Sequence, residues 1–295
     1  MLKDITIGQY IPGESFIHKL DPRTKILISI LFIVCLFIIN KFVGYTFVFL
    51  FLASIILIAK IPLRFIFNGL KPVFLLIALT AVLNIFMIKG TSETLIFKVG
   101  FLSVYTEGLR LAGFMALRLI FLIVGTSILT LTTSPIELTD GIEKLIRPIG
   151  KEMAHELAMM MTIALRFIPT LMDETDKIMK AQKARGADFE SGNIINKAKS
   201  LVPLLVPLFI SSFRRADELA MAMEARGYRG GAGRTRMKVL KFTSKDIIAF
   251  VVFSLIILWS VVVRFILWFK EEIYEKYKIN NWIWWYKFLW LAKAS

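Results

Sequence analysis

Few side chains in this sequence combine the right chemistry with the right spacing to act on a small molecule. The 295 residues include two histidines, His18 and His155, and one cysteine, Cys35. No His-Glu-x-x-His pairing is present, so a zinc site or a nucleophilic triad would lack its usual parts. A single cysteine excludes an intrachain disulfide and a multi-cysteine metal site, and Cys35 within an apolar run reads as a buried, inert thiol. Gly227, Gly230, Gly231 and Gly233 do not fit Gly-x-x-x-x-Gly-Lys-Ser/Thr, so no nucleotide-hydrolysis loop is legible. What remains is guanidinium chemistry. The phrases Ala184-Arg185-Gly186 and Ala225-Arg226-Gly227 each close a long helical pattern. Arginine in a last turn complements the helix dipole and glycine just beyond it supplies a left-handed cap, which is sufficient to explain one copy. Two copies in one polar stretch also suit recognition of acidic grooves, because a guanidinium is a rigid fork for carboxylates. A third arginine, Arg118, lies inside an apolar span. Charge is costly at that depth, so it faces protein or water, either as a functional group or as an internal pair fixing one helix to its neighbours.

The elements that must position these arginines are membrane helices. The sequence is 57% hydrophobic, with 25 phenylalanines and a mean hydropathy of +0.68. That balance is too apolar for a soluble domain and implies an all-α integral membrane protein. We expect about five transmembrane helices plus long cytoplasmic amphipathic ones. The first ten residues carry Asp4 and show no apolar run with a small-residue cleavage site, so the first hydrophobic segment is expected to stay as a span. The net charge of +15 could suggest nucleic acid, but the basic residues alternate with acids beside apolar runs, and membrane topology explains them without a nucleic acid partner.

Four spans are expected in the N-terminal region 1–133, at about 26–39, 42–59, 72–88 and 107–133. Asp21 and Pro22 are placed to cap and open the first helix. Its apolar run of about fourteen residues is marginal for crossing about 30 Å of hydrocarbon. Lys60, Arg64 and Lys71 mark a basic loop, and the alternation in 94–104 suggests a small extended loop. In the fourth span, Gly108, Ala112 and Ala116 form a small-residue stripe that lets another helix approach closely. Ser134 as N-cap, Pro135 and Glu137 complete a capping-box pattern for a short helix.

Region 134–245 reads as polar and cytoplasmic. One amphipathic helix runs from about Met153 to Lys183, kinked if continuous through Pro169. A connector, 187–200, precedes a second from about Leu201 to Glu224, bent at its start by Pro203 and Pro207. Registering the two endings aligns Asp176 with Asp217 and Ala181 with Ala222, a weak internal repeat whose meaning is two equivalent ends. A last span is expected at 246–269, followed by a tryptophan-rich tail, 270–295, that resembles an interfacial segment. Region 134–245 holds 19 lysines and arginines, whereas the opposite side holds Lys41, Lys89 and Lys98 before the tail. This places the N-terminus and region 134–245 in the cytoplasm.

Both amphipathic helices present apolar stripes too large to leave in water, which membrane, each other or partners must cover. The methionines around Met153, Met160, Met161 and Met221 either fill a core or form a surface that repacks against more than one partner. The stripe includes Leu157, Ala164, Leu204 and Leu208.

Over residues 15–230 the sequence resembles a known family, the T component of energy-coupling factor transporters, including its cobalt and biotin versions. The ordered phrases are Ser15-Phe-Ile-His-Lys-Leu-Asp-Pro-Arg-Thr-Lys25, Ala116-Leu-Arg-Leu119, Leu131-Thr-Thr-Ser-Pro135, Ala164-Leu-Arg-Phe-Ile-Pro169, Ala184-Arg185-Gly186 and Ala222-Met-Glu-Ala-Arg-Gly-Tyr228. The resemblance implies a non-catalytic scaffold in the cell membrane, joining two cytoplasmic ATPases that bind ATP to a membrane-embedded S component that captures a vitamin or metal ion. It further implies that Arg185 and Arg226 dock the ATPases, that the coupling helices support the S component, and that this chain holds no cofactor. The other readings are a permease with its own substrate path, for which Arg118 is the expected polar element, and a membrane enzyme. Against these stand the scarcity of other ionisable residues in the spans and the absence of a clustered catalytic set.

Overall fold

A computed structural model describes residues 10–39, 42–88, 95–99, 102–187, 189, 194–230 and 240–264. The segment 270–295 singled out in the sequence lies outside these residues. The helices are α1 (Pro22–Ile38), α2 (Phe42–Ala59), α3 (Leu63–Leu70), α4 (Phe74–Met87), α5 (Thr106–Thr132), α6 (Pro135–Ile146), α7 (Lys151–Ala184), α8 (Ile194–Ala225) and α9 (Ser244–Arg264). Between α4 and α5 an antiparallel hairpin pairs β1 (Leu95–Val99) with β2 (Leu102–Tyr105), where the sequence alternates. The described residues divide into two compact units, one from 11–132 together with 242–264, the other Tyr10 together with 133–241.

Among the described residues, four helical stretches of the first unit are long and apolar enough to cross a membrane: Phe42–Ala59, Leu63–Met87, Thr106–Thr132 and Ser244–Arg264. Helix α1 has 17 residues and rises about 25 Å. It begins at Pro22, as the placing of Asp21 and Pro22 implies, so Arg23, Thr24 and Lys25 form its first turn. The basic loop expected at 60–71 is largely helical, because the residues between Arg64 and Lys71 are mostly apolar and no proline interrupts the chain between Pro62 and Pro72. Pro72 has no N–H for the α ladder, and the chain tightens there into a 3₁₀ turn, Lys71–Val73, before α4.

Helix α5 packs against α1, α2, α3 and α4. The small-residue stripe works as its spacing implied: a Cβ at Gly108 would lie 3.0 Å from the carbonyl oxygens of Asn84 and Ile85, so α4 backbone touches α5 backbone there. Phe32, Leu36, Tyr45, Val48, Leu52, Phe121, Val124 and Phe253 form the core of this unit.

The phrase 15–25 folds into a buried polar knot. The Asp21 carboxylate caps α1 by accepting the Arg23 N–H at 2.9 Å, and the Asp21 N–H donates at 2.8 Å to the fully buried Asp246. Asp246 in turn accepts from the Thr243 N–H and hydroxyl at 2.8 and 2.7 Å, the reciprocal cap of α9. Lys25, also buried, donates from Nζ to the carbonyls of His18 at 3.1 Å and Thr132 at 2.8 Å. Two phrases far apart in sequence, 15–25 and 131–135, therefore meet through one ammonium.

At its other end α1 is capped by two guanidinium groups. Arg118 donates from Nε to the Tyr45 hydroxyl at 3.1 Å and from Nη2 to the Ile39 carbonyl at 3.3 Å, and its cation lies 5.3 Å from the centre of the Phe37 ring. Arg264 donates to the Ile38 carbonyl at 2.9 Å. A short helix leaves its last carbonyls where water is scarce, and these cations satisfy them and complement the negative helix end.

Candidate functional site

The second unit carries the two Ala-Arg-Gly phrases on α7 and α8. Helix α7 has 34 residues, α8 has 32, and each rises about 50 Å. Helix α7 runs unbroken through Pro169, and α8 begins at Ile194, seven residues before the expected start, so the second half of the expected connector is helical. Helix α6 opens with the Ser134 hydroxyl accepting the Glu137 N–H at 3.3 Å and packs on α7, where Glu143 lies 3.6 Å from the His155 ring.

The two helices end in the same way. At the end of α7, the Ala187 N–H donates to the Gln182 carbonyl at 3.0 Å and the Gly186 N–H to Lys183 at 3.0 Å. At the end of α8, the Tyr228 N–H donates to Met223 at 3.0 Å and the Gly227 N–H to Glu224 at 2.8 Å. This paired pattern is the Schellman cap, in which the residue after the helix turns left-handed. Gly186 has φ +86° and Gly227 φ +71°, with no atom near the space a Cβ would fill, so backbone conformation alone demands glycine at both positions. The caps place Arg185 and Arg226 at equivalent positions, the last residue before the chain reverses. Both are exposed together with Ala184 and Ala225, and among the described residues neither guanidinium has a hydrogen-bond or ion-pair partner.

The tips are held apart by the register of the pair. Glu174 on α7 accepts from the Ser211 hydroxyl through Oε2 and from Arg215 Nη2 through Oε1, both at 2.6 Å. The Gln182 amide donates to the Pro203 carbonyl at 3.4 Å. That carbonyl is available because Pro207, four residues on, has no N–H to offer it. Residue 174 pairs with 211 and residue 182 with 203, so the helices run antiparallel where they touch. From that register Arg226 lies 23 residues beyond Pro203 while Arg185 lies three residues beyond Gln182 in the opposite sense, which separates the tips by about 40 Å along the pair.

The carboxyl of Glu174 is held below the ordinary carboxylate range, chiefly by the hydrogen bond from Arg215 and then by that from Ser211. The same contact raises Arg215.

Four of the residues singled out on α7, namely Met153, Leu157, Met160 and Ala164, share one exposed stripe, and Met161 beside them is half-buried. On α8, Met221 is exposed, whereas Leu204 is buried and Leu208 half-buried on the face that carries Ser211 and Arg215. The opposite face of α8 exposes Val202, Val206, Phe209 and Phe213, at steps of four, three and four residues, with Ile210 beside them and the Phe209 and Phe213 rings stacked. Sequence reasoning placed Phe209 and Phe213 in one pattern with Leu204 and Leu208, because α8 is apolar on both sides in that stretch and periodicity alone does not say which side α7 covers. It passed over Glu174, whose signal was the i, i+4 pairing of Ser211 with Arg215 on one face. Arg118 belongs to the other unit.

A family model described as CbiQ, cobalt transport protein, matches residues 13–239. A protein of Clostridium kluyveri is 71% identical over 251 residues, covering 84% of this chain and 93% of that one, and is called energy-coupling factor transporter transmembrane protein EcfT. Proteins of the same name from Thermosediminibacter oceani and Bacillus subtilis are 61% and 50% identical over 267 and 261 residues, covering 90% and 88% of this chain and 100% and 97% of theirs.

Proposed function

The chain belongs to the CbiQ family, the transmembrane T component of energy-coupling factor transporters, and on that premise we propose that it is the scaffold through which two cytoplasmic ATPases drive a separate substrate-binding membrane subunit. The observation that carries this reading is the pair of matching caps at opposite ends of one helix pair, each presenting an exposed arginine without a partner among the described residues. In this reading Arg185 docks in an acidic groove on one ATPase and Arg226 in the equivalent groove on the other, flanked by Ala184 and Gly186 and by Ala225 and Gly227. Small neighbours let the guanidinium enter without steric competition.

The exposed stripes supply the second contact. Met153, Leu157, Met160 and Ala164 on α7, with Met221 and the Val202–Phe213 stripe on α8, offer an apolar surface suited to a membrane subunit that binds a vitamin or metal ion. This chain needs no cofactor of its own, since ATP is bound by the partners. The 19 basic residues of 134–245 favour placing both tips and the N-terminus in the cytoplasm of a cell-membrane protein. A permease with its own path is less well supported, because Arg118, its expected polar element, spends its donors on Tyr45 and the end of α1.

Arg185→Glu and Arg226→Glu test the proposal. Each should abolish substrate uptake in reconstituted vesicles while membrane insertion persists, and the double variant should no longer retain the ATPases on purification. Full retention and uptake in both single variants would overturn it.

A further inference from the structure

We propose that Glu174, Ser211 and Arg215 form a positioning clasp that fixes the angle between α7 and α8, and thereby the relation of the two arginine tips. The inference rests on the scaffold reading above for its consequence in transport, but its geometry stands independently.

Two helices that touch at one point can pivot; two contacts set an angle. Polar contacts join α7 and α8 at Gln182 with Pro203 and at Glu174 with Ser211 and Arg215, eight residues apart on each helix, or about 12 Å. The first is long at 3.4 Å and exposed, a weak restraint. The second is short, charge-assisted and three-membered, with the Glu174 and Arg215 side chains 22% and 33% exposed. Pro169 lies five residues before Glu174 and Pro207 four before Ser211, so each helix lacks a ladder hydrogen bond just N-terminal to the clasp. Without the clasp, both helices are softest next to the place where they cross.

A partly exposed ion pair contributes little to net stability. Its value here is geometric: motion delivered at Arg185 reaches Arg226 only if the crossing does not yield. The clasp also has one spare donor. Arg215 Nε is shielded from solvent and has no acceptor among the described residues. When the Ser211 hydroxyl is removed, the freed Glu174 Oε2 can turn to that Nε, whereas removing Arg215 takes away the charge-assisted bond and leaves Glu174 only the neutral Ser211 hydroxyl across the pair. Ser211→Ala is therefore mild and Arg215→Ala severe.

The test uses the full chain in vesicles, with Cys35→Ala and spin labels at Lys180→Cys and Ala220→Cys, which lie on the exposed surface short of the tips. The unmodified clasp should give a narrow inter-label distance distribution. Glu174→Ala and Arg215→Ala should broaden it, Ser211→Ala should leave it nearly unchanged, and Glu174→Arg combined with Arg215→Glu should restore it. With the ATPases and substrate-binding subunit added, the two broadening variants should still retain the ATPases yet lose about fivefold or more in substrate moved per ATP hydrolysed, recovered in the charge swap. An unchanged distribution in Glu174→Ala and Arg215→Ala, or an unchanged transport ratio once it has broadened, would overturn the clasp. Failure of the unmodified chain to bind ATPases would overturn the scaffold reading and leave the distance result to decide the clasp.

Discussion

At the scale of single residues, the cations of this protein fall into two classes. Lys25 and Arg118 are spent on backbone carbonyls and a phenol, and removing either would strand acceptors in apolar surroundings. Arg185 and Arg226 are exposed at helix tips, which is why we assign the proposed docking to them. His18 sits in the first class of environment. Its Nε2 meets the Ile11 carbonyl at 3.1 Å, an acceptor only, so Nε2 carries the proton and Nδ1 accepts from the Ser15 hydroxyl at 2.7 Å. Burial, with Lys25 adding to it against the Ile11 bond, holds the imidazole below its ordinary pKa of 6.5. The folded state thus favours the neutral ring, and the stability it contributes is complete above about 6.5 and lost as pH falls below it. The thermal midpoint in detergent should therefore drop between pH 7.5 and 5.5, and His18→Gln should flatten that part of the profile. An identical slope in the variant would show that other groups set it.

At the scale of elements, three helices end by the same device with different residues. Helix α2 closes with the Ile61 N–H donating to Ile56 and the Lys60 N–H to Leu57, both at 3.2 Å, and places Lys60 at φ 54° where α7 and α8 place Gly186 and Gly227. A side chain costs about 1 kcal/mol in that region. Lys60→Gly should accordingly raise stability by up to about 1 kcal/mol, and Gly186→Ala or Gly227→Ala should lower it by a similar amount. Circular dichroism melts of the purified chain provide the measurement. Only the glycine changes should also weaken ATPase retention, since only they unsettle an arginine tip. Equal retention in all three variants would detach the caps from docking.

At the scale of the whole molecule, what could be read in advance follows from which forces act locally. The caps at Asp21, Ser134, Gly186 and Gly227 were legible because a cap is decided within a few residues. The Gly108 stripe was legible because close helix approach in a membrane needs small residues. The start of α8, the helical character of 63–70 and the covered side of α8 were not, because each depends on what the segment packs against. Leu204 and Val206 are equally apolar, and only the position of Glu174 tells which face turns to α7. The Asp21–Asp246 contact was invisible for the same reason, joining residues 225 positions apart. The Arg118 ambiguity was resolvable only by partners: Tyr45 and the end of α1 lie where they take up its donors.

The central claim is that the two tips are separate ATPase docking points, and site-specific photocrosslinking tests it most directly. A benzophenone amino acid at Ala184 or at Ala225, with the complete transporter assembled in native membranes, reports what each tip touches. The expected result is that each position captures an ATPase subunit, that the two captures occur together on one chain when both are labelled, and that Arg185→Glu or Arg226→Glu removes only the adduct at its own tip. Adducts confined to lipid or to the substrate-binding subunit at both positions would contradict the claim.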